Sequence, residues 1–277
     1  MDGQAGVKAL PEEPPEPGEE EYLKELLELR PPRPDEETLA AIGEPFDPGL
    51  ALDRNSAARL VDPEPIEVET GWSVLPDASV QVAVATPMPD LTPEMVDWWF
   101  DWHPRRSDRY RAWHPVAHFG NGLVAPKTAQ AKPYWGATNL VDEDVGDGRM
   151  KVRVEFCAPS EFGFGQEFID DPVVGTVVCA RVGDGLVTHT DMAHVFLRQE
   201  QGLLLRSRFW IGERIEPRLP GAPTALKAPF GSLFSRRPVR RLAIPDGMGQ
   251  GLARHCAEEY ANLNRILPGL YARLGQD

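Results

Sequence analysis

The sequence predicts an antiparallel α+β fold in which consecutive strands are closed by one long helix. Three observations carry that prediction. From residue 71 onward, runs that alternate apolar and polar residues follow one another through short Asp/Gly turns, "VGDG" occurring twice, as half-buried strands do. The stretch "GQGLARHCAEEYANLNRIL" instead sets Leu252, Cys256, Tyr260, Leu263 and Leu267 on one helical stripe. A hydrophobic content of 42% in 277 residues suffices for one sizeable core. A sheet wrapped around a single helix leaves a cavity between them, and such a cavity suits a small apolar ligand.

Taken in order, the elements begin with a segment of another texture. "PEEPPEPGEEEYLKELLELRPPRP" surrounds one short helical pattern, Tyr22 to Leu29, and has too few apolar residues for a core of its own, so it reads as a mobile or draped arm. Residues 1–45 hold 13 Asp and Glu against 4 Lys and Arg, so most of the formal charge of -14 sits there. "TLAAIGEPFDPGLALDRNSAARLVDPEP" adds one or two short helices, and the Pro-flanked stretch at 63–65 reads as a boundary between an arm, 1–65, and a main domain, 66–277. "GWSVLPDASVQVAVATPMP" reads as a hairpin about a Pro-Asp turn. "LTPEMVDWWFDWH" has Thr92 before Pro93 and Glu94 as a helix start, with Met95, Trp98, Trp99 and Trp102 at helical spacing. Five further strands are expected in "ATNLVDED", "MKVRVEFCAP", "VVGTVVCARV", "LVTHTDMAHVFLRQ" and "GLLLRSRFWIG"; residues 213–248, with six prolines, read as irregular.

The negative charge argues against a nucleic acid or an anionic membrane as partner. No apolar run is long enough to span a bilayer and no basic-then-apolar leader opens the chain, so a cytoplasmic location is expected. Cys157, Cys179 and Cys256 are widely spaced in apolar patterns and read as buried free thiols.

Candidate chemistry starts on the last helix. His255 and Glu259 are four apart and therefore stack on one face; such a pair either chelates a divalent metal or stands as a solvated pair. His114 and His118 are candidate partners, with Pro115 breaking regular structure between them. His189 and His194 differ by an odd number, so on a regular strand only one faces the cavity, and His194, between Ala193 and Val195, is the inward choice. His103 and His189 read as surface or structural. Glu143 lies between Asp142 and Asp144, and alternation puts it on the face of Val141 and Val145; Glu155 and Glu161 are further strand carboxylates. Imidazole nitrogen with carboxylate oxygen suits zinc. "SRRPVRR", Ser235 to Arg241, reads as a solvated loop or an inter-subunit contact. Nucleotide-binding and serine-hydrolase motifs are missing.

Together "WWFDWHP...RYRAWHPVAHFGN", "VDEDVG", "MAHVFLRQEQGLLLRSRFWIG" and "HCAEE" resemble, in matching order from about Gly71 onward, the diacetylphloroglucinol hydrolase and phloretin hydrolase family. The resemblance implies a Bet v 1-like helix-grip domain. It also implies a zinc-dependent enzyme that cleaves the carbon-carbon bond between a phenolic ring and an acyl group. Its zinc ligands would fall on His118, Glu143, His255 and Glu259, with Glu155 as the alternative to Glu143. His194 would be the active-site histidine, Tyr110 and Asn121 would hydrogen-bond the phenolic substrate, and Trp99, Phe209 and Trp210 would wall the pocket. Phe209 departs from the tyrosine expected in the "RSR-aromatic-W" motif, which points to altered selectivity. Size and the resemblance suggest a homodimer acting on a small acylated phenol. The alternatives are a carrier of hydrophobic small molecules on the same fold, or another metal-assisted reaction on a polyketide.

Overall fold

The computed structural model describes residues 8–124, 130–218 and 236–275. Among these, eight strands form one antiparallel sheet: β1 (Gly71–Val74), β2 (Val80–Met88), β3 (His118–Val124), β4 (Thr138–Asp144), β5 (Arg149–Cys157), β6 (Val174–Gly183), β7 (Val187–Arg198) and β8 (Leu203–Pro217). Their order in space is β1-β2-β8-β7-β6-β5-β4-β3. Six strands therefore run as a meander, and the chain leaving β2 must reach the far edge before β3 can begin. Helices α3 (Pro93–Trp102) and α4 (Ser107–Trp113) make that crossing. The other helices are α1 (Glu19–Leu27), α2 (Glu36–Gly43), α5 (Gln166–Ile169), α6 (Arg237–Ala243) and the long α7 (Met248–Leu274).

Alternation assigns each strand two faces. The inner face of the sheet, with Val82, Val84, Phe196 and Leu205, packs with Tyr260, Leu263 and Leu267 of α7 and with Trp99 and Phe100 of α3. This sheet gripping a long C-terminal helix is a helix-grip arrangement. The outer face is covered as well: Val177, Val195, Leu197 and Trp210 meet Leu52, Leu60, Ile66 and Phe162. Residues on both sides of the 63–65 stretch thus share a core with the sheet.

Several expectations change in the structure. The β3 segment, "HFGNGLV", was not anticipated as a strand, because its two glycines hide any alternation. The stretch read as irregular from 213 holds the end of β8 and all of α6, while Ser235, Pro220, Pro223 and Pro229 lie outside the described residues. Helix α7 passes through Pro268 to Leu274 instead of stopping at Leu267, because Ile266, Leu267 and Leu270 are all buried against the core and hold it across the missing amide.

The acidic arm is draped rather than loose. The Leu10 amide donates to the Leu123 carbonyl on β3 at 2.8 Å. Glu19 at the start of α1 accepts two hydrogen bonds from Arg109 of α4, 2.6 and 3.0 Å long, and both side chains are fully buried. Arg105 reaches Glu13 at 2.8 Å. The surplus of acid in the arm is therefore matched to the arginines of "HPRRSDRYR".

Candidate metal centre

Three elements bring four side chains to one point. His118 opens β3, Glu143 lies opposite it on β4, and His255 and Glu259 project from one face of α7, one turn apart. The two imidazole Nε2 atoms are 3.2 Å apart. Glu259 Oε2 is 3.6 Å from His118 Nε2 and 3.7 Å from His255 Nε2, and Glu143 Oε2 is 3.9 Å from His118 Nε2. Donors of a tetrahedral zinc site, each about 2.0 Å from the ion, stand about 3.3 Å from one another; the distances to His118 and between His255 and Glu259 approach that spacing, and the ligand atoms of His118, Glu143 and His255 all lie within 4.8 Å of one another. His118 Nδ1 is bonded to the Tyr110 carbonyl at 3.0 Å, which puts the proton on Nδ1 and turns the Nε2 lone pair toward the centre. The donor set fits a divalent cation: two neutral nitrogens and two carboxylates whose charges such an ion offsets.

Neighbouring groups hold this set in place. The Tyr110 hydroxyl donates to Glu143 Oε2 at 2.6 Å, and its ring stacks flat on His118 with centroids 4.0 Å apart. Trp113 Nε1 donates to the Glu259 carbonyl at 3.0 Å, tying α4 to α7. His114 is not in the donor ring. It lies parallel to His255 at 4.9 Å, accepts the Ala117 amide on Nδ1 and faces Glu258 through Nε2 at 3.3 Å. Burial dominates the electrostatics. It pushes His255 down to about 3 and, with His255 beside it, holds His118 well below the usual histidine range. The Glu143 carboxyl is raised by burial, and Glu259, buried and close to Glu143, well above its ordinary value. On their own these groups are driven toward neutrality, and a bound cation reverses the preference of the carboxylates.

Glu143, His255 and Glu259 form part of one wall of a cavity of about 140 Å³ between the sheet and α7, with His118 behind them. Val141, Glu143 and Val145 line it together, as alternation predicted. His194 lines it too, with Nδ1 2.8 Å from Ser207 Oγ and its ring 5.5 Å from that of Phe209, which also lines the cavity. Tyr110 reaches the wall, but its hydroxyl is engaged by Glu143.

Three expected cavity residues stand elsewhere. Trp210 follows Phe209 on β8 and so points to the outer core, where its Nε1 donates to the Leu52 carbonyl at 2.8 Å. Trp99 sits one layer behind the wall, stacked on His103 at 4.8 Å. Asn121 is turned toward α3 and α4, its amide donating to the Pro104 carbonyl at 3.1 Å, because β3 slips register between His118 and Gly120. Glu155, the alternative ligand, faces away and pairs with Arg218. Glu161 pairs with Arg181 at 2.9 Å.

Two histidines read as structural or surface do line the cavity. His103 is held by the Trp99 carbonyl at 2.7 Å, a pairing legible in the i,i+4 spacing. His189 shares the cavity with His194 despite their odd separation, because β7 bulges between Thr188 and Thr190 and the extra residue shifts the parity. Tyr260, part of the apolar stripe in the sequence, is a further wall residue whose hydroxyl is buried without a hydrogen-bond partner among the described residues.

Among solved structures the chain is similar to Ara h 8.0201 (TM-score 0.39, 9% identity, 68% of this chain and 97% of that one). It is also similar to norcoclaurine synthase from Thalictrum flavum in complex with dopamine and hydroxybenzaldehyde (TM-score 0.36, 8% identity, 72% and 91%). Among characterised proteins it is 32% identical over 261 residues to phloretin hydrolase of Eubacterium ramulus, covering 91% of this chain and 89% of that protein. It is 29% identical over 229 residues to 2,4-diacetylphloroglucinol hydrolase of Pseudomonas protegens, covering 78% and 72%. The family described as "DAPG hydrolase PhiG domain" matches residues 52–272, which hold all four donors and the whole sheet, and the chain belongs to that family.

Proposed function

We propose that this protein is a zinc-dependent hydrolase that cleaves the carbon-carbon bond between a polyhydroxylated aromatic ring and an acyl group. The substrates of the relatives, phloretin and 2,4-diacetylphloroglucinol, define the class. One observation carries the reading: the ligand atoms of His118, Glu143 and His255 lie within 4.8 Å of one another, and Glu259 Oε2 is 3.6 Å from His118 Nε2, beside a largely apolar cavity. His118, Glu143, His255 and Glu259 would hold the ion. When bound, zinc supplies Lewis acidity that polarises a ketone and acidifies water.

The reaction adds water across the aryl-acyl bond. Water oxygen bonds to the acyl carbon, the bond from that carbon to the ring breaks, and the electron pair stays on the ring carbon, which takes a proton. The products are a carboxylic acid and the free phenol. Ring hydroxyls ortho or para to the acyl group spread the developing charge, which is why the substrate must be a polyhydroxyphenol. Burial holds the His194 ring at about 3, so it rests neutral. In this reading His194, lining the cavity, relays the proton of the attacking water to the ring carbon through the nitrogen not engaged by Ser207. Tyr110 keeps Glu143 oriented, and Phe209 and Met192 pack against the aromatic ring.

The test is zinc per chain by elemental analysis with turnover of phloretin and diacetylphloroglucinol, on the wild type and on His255→Ala, Glu259→Ala and His194→Ala. The expectation is about one zinc in the wild type, loss of zinc and activity in the first two variants, and retained zinc with turnover lowered at least a hundredfold in the third. A zinc-free wild type that still binds acylphenols without cleaving them would identify a carrier instead.

A further inference from the structure

The polar atoms on the cavity wall are almost all engaged by the protein itself. The Tyr110 hydroxyl is given to Glu143, His194 Nδ1 meets Ser207, His103 Nδ1 meets the Trp99 carbonyl, and His189 Nδ1 meets Thr190 at 2.9 Å. Two lining atoms are different: among the described residues neither Asn139 Oδ1 nor the hydroxyl of Tyr260 has a hydrogen-bond partner, and of the two residues Tyr260, 0% exposed, is the one whose ring touches His194. Buried polar atoms in folded proteins nearly always find one.

Packing does not account for this hydroxyl. The Tyr260 ring is held edge-on by Trp113 at 5.4 Å and Phe196 at 6.2 Å, and lies 5.0 Å from His194. A phenylalanine ring would make those contacts equally well and leave nothing unpaired. Its position gives the hydroxyl a use. Tyr260 directly follows Glu259 on α7, and its ring lies 5.0 Å from that of the histidine assigned above to proton transfer, so the two residues border the same part of the cavity wall.

We infer that Tyr260 is a specificity-determining residue whose hydroxyl hydrogen-bonds a phenolic oxygen of the substrate; this rests on the acylphenol reading of the site. A tyrosine hydroxyl can donate to a phenolate oxygen or accept from a phenol, so it serves the ring before and after charge develops on it. A site built to bond a hydroxyl rejects ligands that lack one, because its own polar group is then left unpaired.

The test uses the protein as purified, with two probes that undergo no reaction: phloroglucinol, which has three ring hydroxyls and no acyl group, and acetophenone, which has the ketone and no hydroxyl. Binding to the wild type and to Tyr260→Phe is measured by titration calorimetry. The substitution is expected to weaken phloroglucinol about tenfold and to leave acetophenone unchanged. In the absence of ligand, Tyr260→Phe should melt at the same temperature as the wild type or higher, since it deletes an unpaired buried group. Equal phloroglucinol binding in both proteins, equal weakening of both probes, or a lower melting temperature in the ligand-free variant each overturns the inference while leaving the hydrolase proposal standing. A wild type that binds neither phloroglucinol nor any acylphenol overturns both.

Discussion

At the scale of single residues, the contact between Tyr110 and Glu143 controls the donor set without belonging to it. Tyr110→Phe keeps the ring stacked on His118 but deletes the 2.6 Å hydrogen bond to Glu143 Oε2. Partners of metal ligands typically govern affinity by 10- to 100-fold, so zinc affinity measured by chelator competition should fall by about that factor with the fold intact. Unchanged affinity would show that β4 alone fixes the carboxylate. Glu143 was legible in the sequence because it sits at the inward beat of "VDEDV", with Val141 and Val145. Trp210 and Asn121 were misplaced for the converse reason: a motif identifies residues as neighbours in sequence, whereas adjacent strand residues face opposite sides, and the slip in β3 turns Asn121 away.

At the scale of elements, α4 carries Tyr110 and abuts β3, and the arm holds it there. Glu19 and Arg109 form a charge pair with both partners out of water. Deleting one partner of such a pair strands the other and costs about 3–5 kcal/mol. Glu19→Ala should therefore lower denaturant stability by that order, far more than Glu36→Ala, whose partner Arg33 is exposed; equal effects would mean the arm is not docked in solution. The hairpin β1–β2, the start of α3 and strands β4 to β8 followed from alternation and from the Thr92 cap. The arm's partners did not, since Glu19 and Arg109 are ninety residues apart and nothing local couples them. The β7 bulge escaped for a similar reason: a parity count assumes a regular strand, and only the pairing with β8 shows the extra residue.

At the scale of the whole molecule, buried histidines set the response to acid. Burial drives His103, His194 and His255 each down to about 3 in the folded state, against about 6.5 in an unfolded chain. Between those values the unfolded chain binds protons that the folded chain refuses. Their contribution to stability is thus complete above pH 6.5 and is lost as pH falls toward 3, by up to about 1.4 kcal/mol per pH unit for each histidine. The metal-free protein should melt at a lower temperature at pH 5 than at pH 7.5, the loss from the histidines being partly offset by Glu143 and Glu259, whose raised carboxyls take up protons more readily in the folded chain. A melting temperature that holds or rises over that interval would mean the histidines are hydrated.

Because His118 and Glu143 sit on β3 and β4 while His255 and Glu259 sit on α7, the four side chains meet only once that helix is docked on the sheet. Before then each half offers the ion two ligands at most. On the proposed zinc site, uptake of the ion would double as a clock for assembly: followed in a stopped-flow refolding experiment, it should coincide with burial of Trp113, whose indole closes onto the same turn of α7.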